Sequence, residues 1–193
     1  ASYGFIAHPS VAPDLNQVVD FMARGILFAD QINAVSETYA REIQTPEFGE
    51  RLDPILRERK DRLTGILNGI DTDWYNPATD PDIAQKFDVH SIDARAANKL
   101  ALQKECGLPQ DPDTPIVAMV GRLTGQKGID LVADAIDHII ETLGVQFVVM
   151  GTGDQHHHDF FTRLRQQYPD RVAIFLTFDP ARARKIYAGA DML

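Results

Sequence analysis

Three apolar runs constrain most strongly what this chain can fold into: residues 116–120, 145–150 and 172–176. Each is followed by a segment with helical spacing, at 126–142, 156–168 and 180–187. Strands alternating with helices of this length predict βαβ units and a parallel sheet. The runs are continuous instead of alternating with polar residues, as expected of strands covered on both faces. A fourth strand begins at Asp191-Met192-Leu193, where the sequence stops. Cut at that point it would leave an unpaired apolar edge, so the sequence reads as a fragment. The expected fold class is α/β, a parallel sheet flanked by helices.

The preceding half has a different texture. Residues 14–28 form an amphipathic helical stretch in which Leu15, Val18, Val19, Met22 and Ile26 recur at helical spacing. An apolar segment at 31–35 runs into Ser36, a good N-cap for a short helix that Thr45-Pro46 ends. One or two helical turns at 53–61 lead to a strand-like segment at 63–67, then to Asn68-Gly69-Ile70-Asp71. The polar, proline-punctuated stretch that follows predicts a linker lying across a surface. A helix over 92–106, capped by Ser91, stops at Gly107, with Pro109 soon after. This organisation predicts one domain over 1–76, a linker over 77–91 and a second domain over 92–193.

Composition narrows the function classes. A chain of 193 residues buries a useful core without disulfides or a structural metal. Its net charge of -9, with no basic block, argues against a nucleic-acid partner. Cys106 is the only cysteine, so no disulfide framework exists and a reducing compartment is the natural home. No apolar run approaches a membrane span, and residues 1–9 lack the charge and apolar core of a signal peptide. The expected location is cytoplasmic, with no membrane partner.

The strongest chemical constellation is the turn after the first run, Gly121-Arg122-Leu123-Thr124-Gly125-Gln126-Lys127-Gly128. In a doubly wound sheet, ligands sit outside the carboxyl ends of strands, where this turn must lie. A helix start offers free backbone N–H groups and a positive dipole end, both suited to phosphate. Arg122 brings a planar fork and Lys127 a compact charge toward the same anion. The Gly-Lys-Ser/Thr ending of NTPase phosphate loops is missing. Two surface cations beside a plain glycine turn would read the same way. Gly151-Thr152-Gly153-Asp154 follows the second run and is either a second ligand-touching loop or a tight strand-to-helix turn. Asn68-Gly69 is either a simple tight turn or, placed just before the linker, part of a ligand crevice.

Other features carry less. His156, His157 and His158 are neighbours on a helix and are expected to point different ways, so no metal site is assigned. His8 has no partner in view, and packing or solvent explains His138. Cys106 reads as a small core residue, not a nucleophile.

Residues 26–30 and 35–49, including the run Tyr39-Ala40-Arg41-Glu42-Ile43-Gln44-Thr45-Pro46-Glu47-Phe48, closely resemble bacterial glycogen synthases and plant starch synthases. So do residues 63–71, Trp74-Tyr75-Asn76-Pro77-Ala78-Thr79-Asp80, the turn at 122–128, and residues 186–193. The resemblance covers nearly the whole chain in the right order; residues 1–16 match poorly and receive no role.

That resemblance implies the GT-B architecture of two Rossmann-like domains. It implies transfer of glucose, with retention, from ADP-glucose (UDP-glucose in some relatives) to the non-reducing end of an α-1,4-glucan, without a cofactor or an obligatory metal. Arg122 and Lys127 would hold the diphosphate and stabilise its growing charge. Asn68 and Gly69 would lie near donor sugar or nucleotide, and Gly121, Gly151, Thr152 and Gly153 would line the nucleotide pocket. Phe178 would stack on adenine, with core packing as the alternative. The chain would span the end of the first domain, the linker and the first half of the second.

Two family segments, a Lys-x-Gly-Gly loop and a Glu-Pro-Cys-Gly-Leu segment, are not in this sequence. The resemblance therefore implies that the isolated chain is inactive and associates through exposed strand edges. A location in the plastid stroma would apply to a plant source. The alternatives are a retaining glycosyltransferase with another donor or acceptor, and a non-catalytic nucleotide- or glucan-binding module.

Overall fold

The structure, a computed structural model, describes residues 20–193, so the expected roles of His8, Leu15, Val18 and Val19 lie outside the described residues. The chain divides into two compact units, Ala1–Ile70 and Asp71–Leu193.

In the first unit the amphipathic stretch is helical over α1 (Phe21–Phe28). Asp20 caps it, its carboxylate accepting the Ala23 N–H at 2.9 Å. Strand β1 (Ile32–Ala34) pairs in parallel with β2 (Leu63–Gly65), Asn33 opposite Thr64. Between them lie α2 (Glu37–Glu42) and α3 (Asp53–Glu58). Ser36 caps α2 as the sequence predicts, accepting the Tyr39 N–H at 2.8 Å. Gly65 lies so close to the start of α2 that a Cβ there would sit 2.2 Å from the Glu37 Cα. Ala23, Ala34, Ala40, Ile55 and Leu56 are buried in this unit.

The second unit begins at Asp71, so the stretch 77–91, expected to be a linker lying across a surface, falls within it; most of it is exposed, and a few groups anchor it. Its carboxylates and polar groups are what pack: Asp80 and Ile83 are buried, and the Asn98 side chain accepts the Gln85 N–H while donating to the Gln85 carbonyl. Arg184 donates to Asp80 at 2.8 Å and also to Asp82, with its guanidinium 4.6 Å from the Trp74 ring centre. A polar composition predicts solvent contact; at Asp80 a buried, hydrogen-bonded ion pair reverses that reading.

Beyond it the predicted alternation appears. Helix α4 (Arg95–Cys106) leads to β3 (Ile116–Val120), α5 (Ile129–Leu143), β4 (Gln146–Met150), α6 (Gln155–Gln167), β5 (Val172–Phe175) and α7 (Pro180–Gly189). Ser91 does not cap α4: its hydroxyl bonds Asp88, and a short 3-10 turn at Ile92–Ala94 starts the helix. The strands are parallel in the order β3-β4-β5. β4 is central and wholly buried, sending Val148 and Met150 to a cluster with Leu102 and Ile186, and Phe147 and Val149 to one with Ile136 and Phe161. Gln146 is buried as well, but its amide is satisfied by Gln103 at 2.9 Å and the Pro109 carbonyl at 2.8 Å.

Residues 191–193 extend this sheet on the far side of β3. Met192 bridges Val117 in parallel, the Ala118 N–H donates to the Met192 carbonyl, and the Asp191 carboxylate accepts the Ile116 N–H. The chain thus steps outward from β3 to β4 and β5, then crosses back to the other side of β3. Strand order reverses at β3, whose carboxyl end is a topological switch point.

Candidate functional site

The turn after β3 lies at that switch point. Gly121 donates to the Met150 carbonyl at 3.0 Å and Leu123 to the Thr152 carbonyl at 2.9 Å, while Asp154 donates back to the Leu123 carbonyl at 2.9 Å. The loops after β3 and β4 are therefore laced backbone to backbone. Contact this close excludes side chains: a Cβ on Gly151 would lie 1.8 Å from the Gly121 carbonyl oxygen, and one on Gly153 2.1 Å from that of Leu123.

This geometry redefines the glycines. The N–H groups of Gly121, Gly151 and Gly153 are all spent within the protein, on Met150, Phe175 and the His158 Nε2 respectively. Gly121, Gly151 and Gly153 build the platform. The groups on it with free side chains are Arg122, Thr152 and Lys127, all exposed. Among the described residues no hydrogen bond or ion pair engages either cation.

The loop itself is pinned at both ends by Leu123 and Ile129, each almost fully buried. Between them the helix does not start at Gln126 as expected. Residues Gly125–Lys127 form a 3-10 turn closed by the Lys127 N–H to the Thr124 carbonyl, and Gly128 adopts φ +67° before α5 begins at Ile129. That left-handed residue reverses the backbone at low cost only because it is glycine. One group the sequence reading passed over is Thr124, whose Oγ1 is buried without a partner between the two cations. Its position in the turn was the available signal.

The loop after β5 stands at the same edge of the sheet. Phe178 is 82% exposed there, so core packing does not explain it. Asn68 and Gly69 belong to the first unit, beyond the carboxyl end of β2. Both are exposed, no turn forms at them, and Gly69 has no left-handed φ, which removes the tight-turn reading. Cys106 is a core thiol, as expected: burial pushes it up to about 12, the Glu105 charge adding to the effect.

Two of the three histidines depart from expectation. His156 and His157 do not diverge; their ring centres are 3.8 Å apart. At the first turn of a helix, side chains can fold back over the N-terminus and meet despite adjacent positions. No helix among the described residues is long and apolar enough to cross a membrane.

Known proteins resemble this chain along most of its length. Residues 7–58 match the family described as "Starch synthase catalytic domain". The glycogen synthase of Lactobacillus acidophilus is 48% identical over 173 residues, 90% of this chain and 36% of the relative. That of Thermotoga maritima is 47% identical over 174 residues, with the same coverage. The chain thus spans about a third of the curated relatives it matches. The catalytic domain of starch synthase IV from Arabidopsis thaliana, solved bound to ADP and acarbose, superposes with a TM-score of 0.82 at 38% identity, covering 88% of this chain and 35% of that one. Motifs, parallel α/β topology and an alignment over nine tenths of the chain all show similarity to the glycogen and starch synthases, and the fold matches part of a GT-B catalytic domain.

Proposed function

We propose that the protein transfers glucose from ADP-glucose to the non-reducing end of an α-1,4-glucan with retention, and that this chain supplies the diphosphate clamp. The observation that carries the reading is a pair of exposed, unpaired cations, Arg122 and Lys127, on a loop pinned at the switch point of the sheet. The ADP and acarbose in the starch synthase IV structure support a nucleotide-sugar donor and a glucan acceptor.

As the bond from glucose to the diphosphate breaks, negative charge grows on the departing ADP. Fixed cations stabilise that charge more than the ground state, which lowers the barrier. The Arg122 guanidinium presents parallel N–H donors to phosphate oxygens, and the Lys127 ammonium adds a point charge. Because the platform glycines have spent their amides, side chains do this work: Thr152 and the Thr124 hydroxyl are the neutral donors beside the cations. Phe178 offers a face to adenine. The first unit is assigned to the acceptor-side domain, with Asn68 and Gly69 toward the donor sugar, and the second to the nucleotide-sugar domain. The reaction's reactants are soluble, in keeping with a cytoplasmic enzyme.

Calorimetric titration of the chain with ADP, AMP and UDP tests this reading. ADP is expected to bind more tightly than AMP, and Arg122→Ala or Lys127→Ala to weaken ADP about 10-fold or more, the worth of a charge-assisted hydrogen bond. Equal ADP affinity in wild type and both variants overturns it.

A further inference from the structure

We propose that Asp154, His156 and His157, at the start of α6, bind a divalent transition-metal ion such as Zn²⁺ or Ni²⁺. This site is separate from the diphosphate clamp and goes beyond the transfer reaction, in which the ion takes no part.

One potential ligand atom from each of the three residues lies within 4.8 Å of the others. Three ligand atoms on one ion at about 2.1 Å in tetrahedral geometry stand about 3.4 Å apart, so closure needs up to about 1.4 Å of movement. His156 and Asp154 are exposed and free to make it. Two imidazoles and one carboxylate form a donor set for zinc, nickel, cobalt or copper, and a poor one for magnesium or calcium. Three protein ligands leave the remaining positions to water.

Two observations show groups left without the partners their positions call for. Asp154 occupies the N-cap of α6, yet its carboxylate takes no helix amide. The equivalent aspartates of α1 and α7 both do so, Asp20 from Ala23 at 2.9 Å and Asp179 from Arg182 at 3.0 Å. His157 is only 7% exposed, and its Nε2 is buried with no hydrogen-bond partner. A buried polar atom without a partner carries a desolvation penalty that a ligand relieves. The third histidine stays outside the set, because the His158 Nε2 already accepts the Gly153 N–H at 3.1 Å. The positive end of the α6 dipole opposes a cation, and the Asp154 charge offsets it.

The test titrates the EDTA-treated 193-residue chain with Co²⁺, followed by visible absorption, and with Zn²⁺ and Ni²⁺ by calorimetry. One ion per chain is expected, undisturbed by excess Mg²⁺. Asp154→Asn and His156→Ala, both at exposed positions, should each weaken binding about 10-fold or more. His138→Gln should leave binding unchanged, and far-UV circular dichroism confirms that each variant is folded. Absence of saturable binding overturns the proposal, as does unchanged affinity in Asp154→Asn and His156→Ala. A loss in His158→Ala as large as that in His156→Ala also overturns it, since that result marks unspecific chelation by the three-histidine run.

Discussion

In the first unit, β1 and β2 pair over three residues, and the side chains they and their helices bury are mainly alanines with Ile55 and Leu56. Phe21, Met22, Phe28, Leu67 and Ile70 stay exposed there, each by more than 60%. In the second unit β4 lies between two partners, all five of its residues are buried, and an apolar cluster forms on each face. Both units use parallel strands, but only in the second do β3, β4 and β5 all send side chains to apolar clusters on both faces. The difference teaches where rigidity comes from: the loops after β3 and β4 are held by a two-sided core, a firm base for the proposed clamp, which must not reorganise when charge develops. The segment after β2 rests on a much thinner one.

The largest expected effect tests that base directly. Gly151→Ala drives a Cβ into backbone atoms that cannot yield cheaply, and should cost about 3 kcal/mol or more. Trp74 fluorescence and the reactivity of Cys106 toward a thiol reagent both report on the second unit. Each should show opening at lower urea in the variant. The counterpart in the first unit, Gly25→Ala in α1, meets nothing within 4 Å and should stabilise that helix by about 0.5–1 kcal/mol, read as slower amide exchange in 21–28. A Gly151→Ala chain as stable as wild type would break the comparison.

Next in size, Asp80→Ala leaves the buried Arg184 with the partly exposed Asp82 as its one carboxylate, and should lower the stability of the second unit by about 3 kcal/mol. Asp82→Ala should cost less than about 1 kcal/mol, because water already reaches that partner. Equal losses in the two variants would mean that residues 77–91 are not held by the buried pair.

The smallest effect is a pH dependence. Burial raises the Glu105 carboxyl, but its bonds to Lys185 and Arg182 outweigh that and hold it below its usual 4.5. A depressed folded value contributes stability above the unfolded value and loses it as pH falls through the folded one. The urea midpoint of wild type should therefore exceed that of Glu105→Gln above about pH 4.5, and the gap should close on further acidification. A gap that widens in acid contradicts the ion-pair account of how α4 and α7 are joined.

Much of this was legible in advance. Strand and helix order from 92 onward, the Ser36 cap and the cations of the turn at 121–128 all depend on residues close in sequence, so periodicity and local hydrogen-bonding chemistry reveal them. The anchoring of 77–91 was not legible, because the Asp80 carboxylate is answered by Arg184, 104 residues away. The helix start at Gln126 failed because Gly128 turns left-handed, which a single glycine permits without announcing. The approach of the His156 and His157 rings was not legible because helix spacing describes the interior of a helix and not its first turn, where side chains are free to fold back.

The Gly121–Gly128 turn and the Gly151–Gly153 loop show the division best. By itself the sequence determined that two glycine-containing turns follow apolar strands, and that one of them carries Arg122 and Lys127. Only the tertiary structure decided which groups remain available to a ligand. The register of β3 on β4 brings the two loops into backbone contact and spends the Gly121 amide, Phe175 and His158 take those of Gly151 and Gly153, and the side chains are left for the proposed anion. Residues some thirty positions apart share one hydrogen-bonding surface there, and no local pattern records which donors that surface has already used.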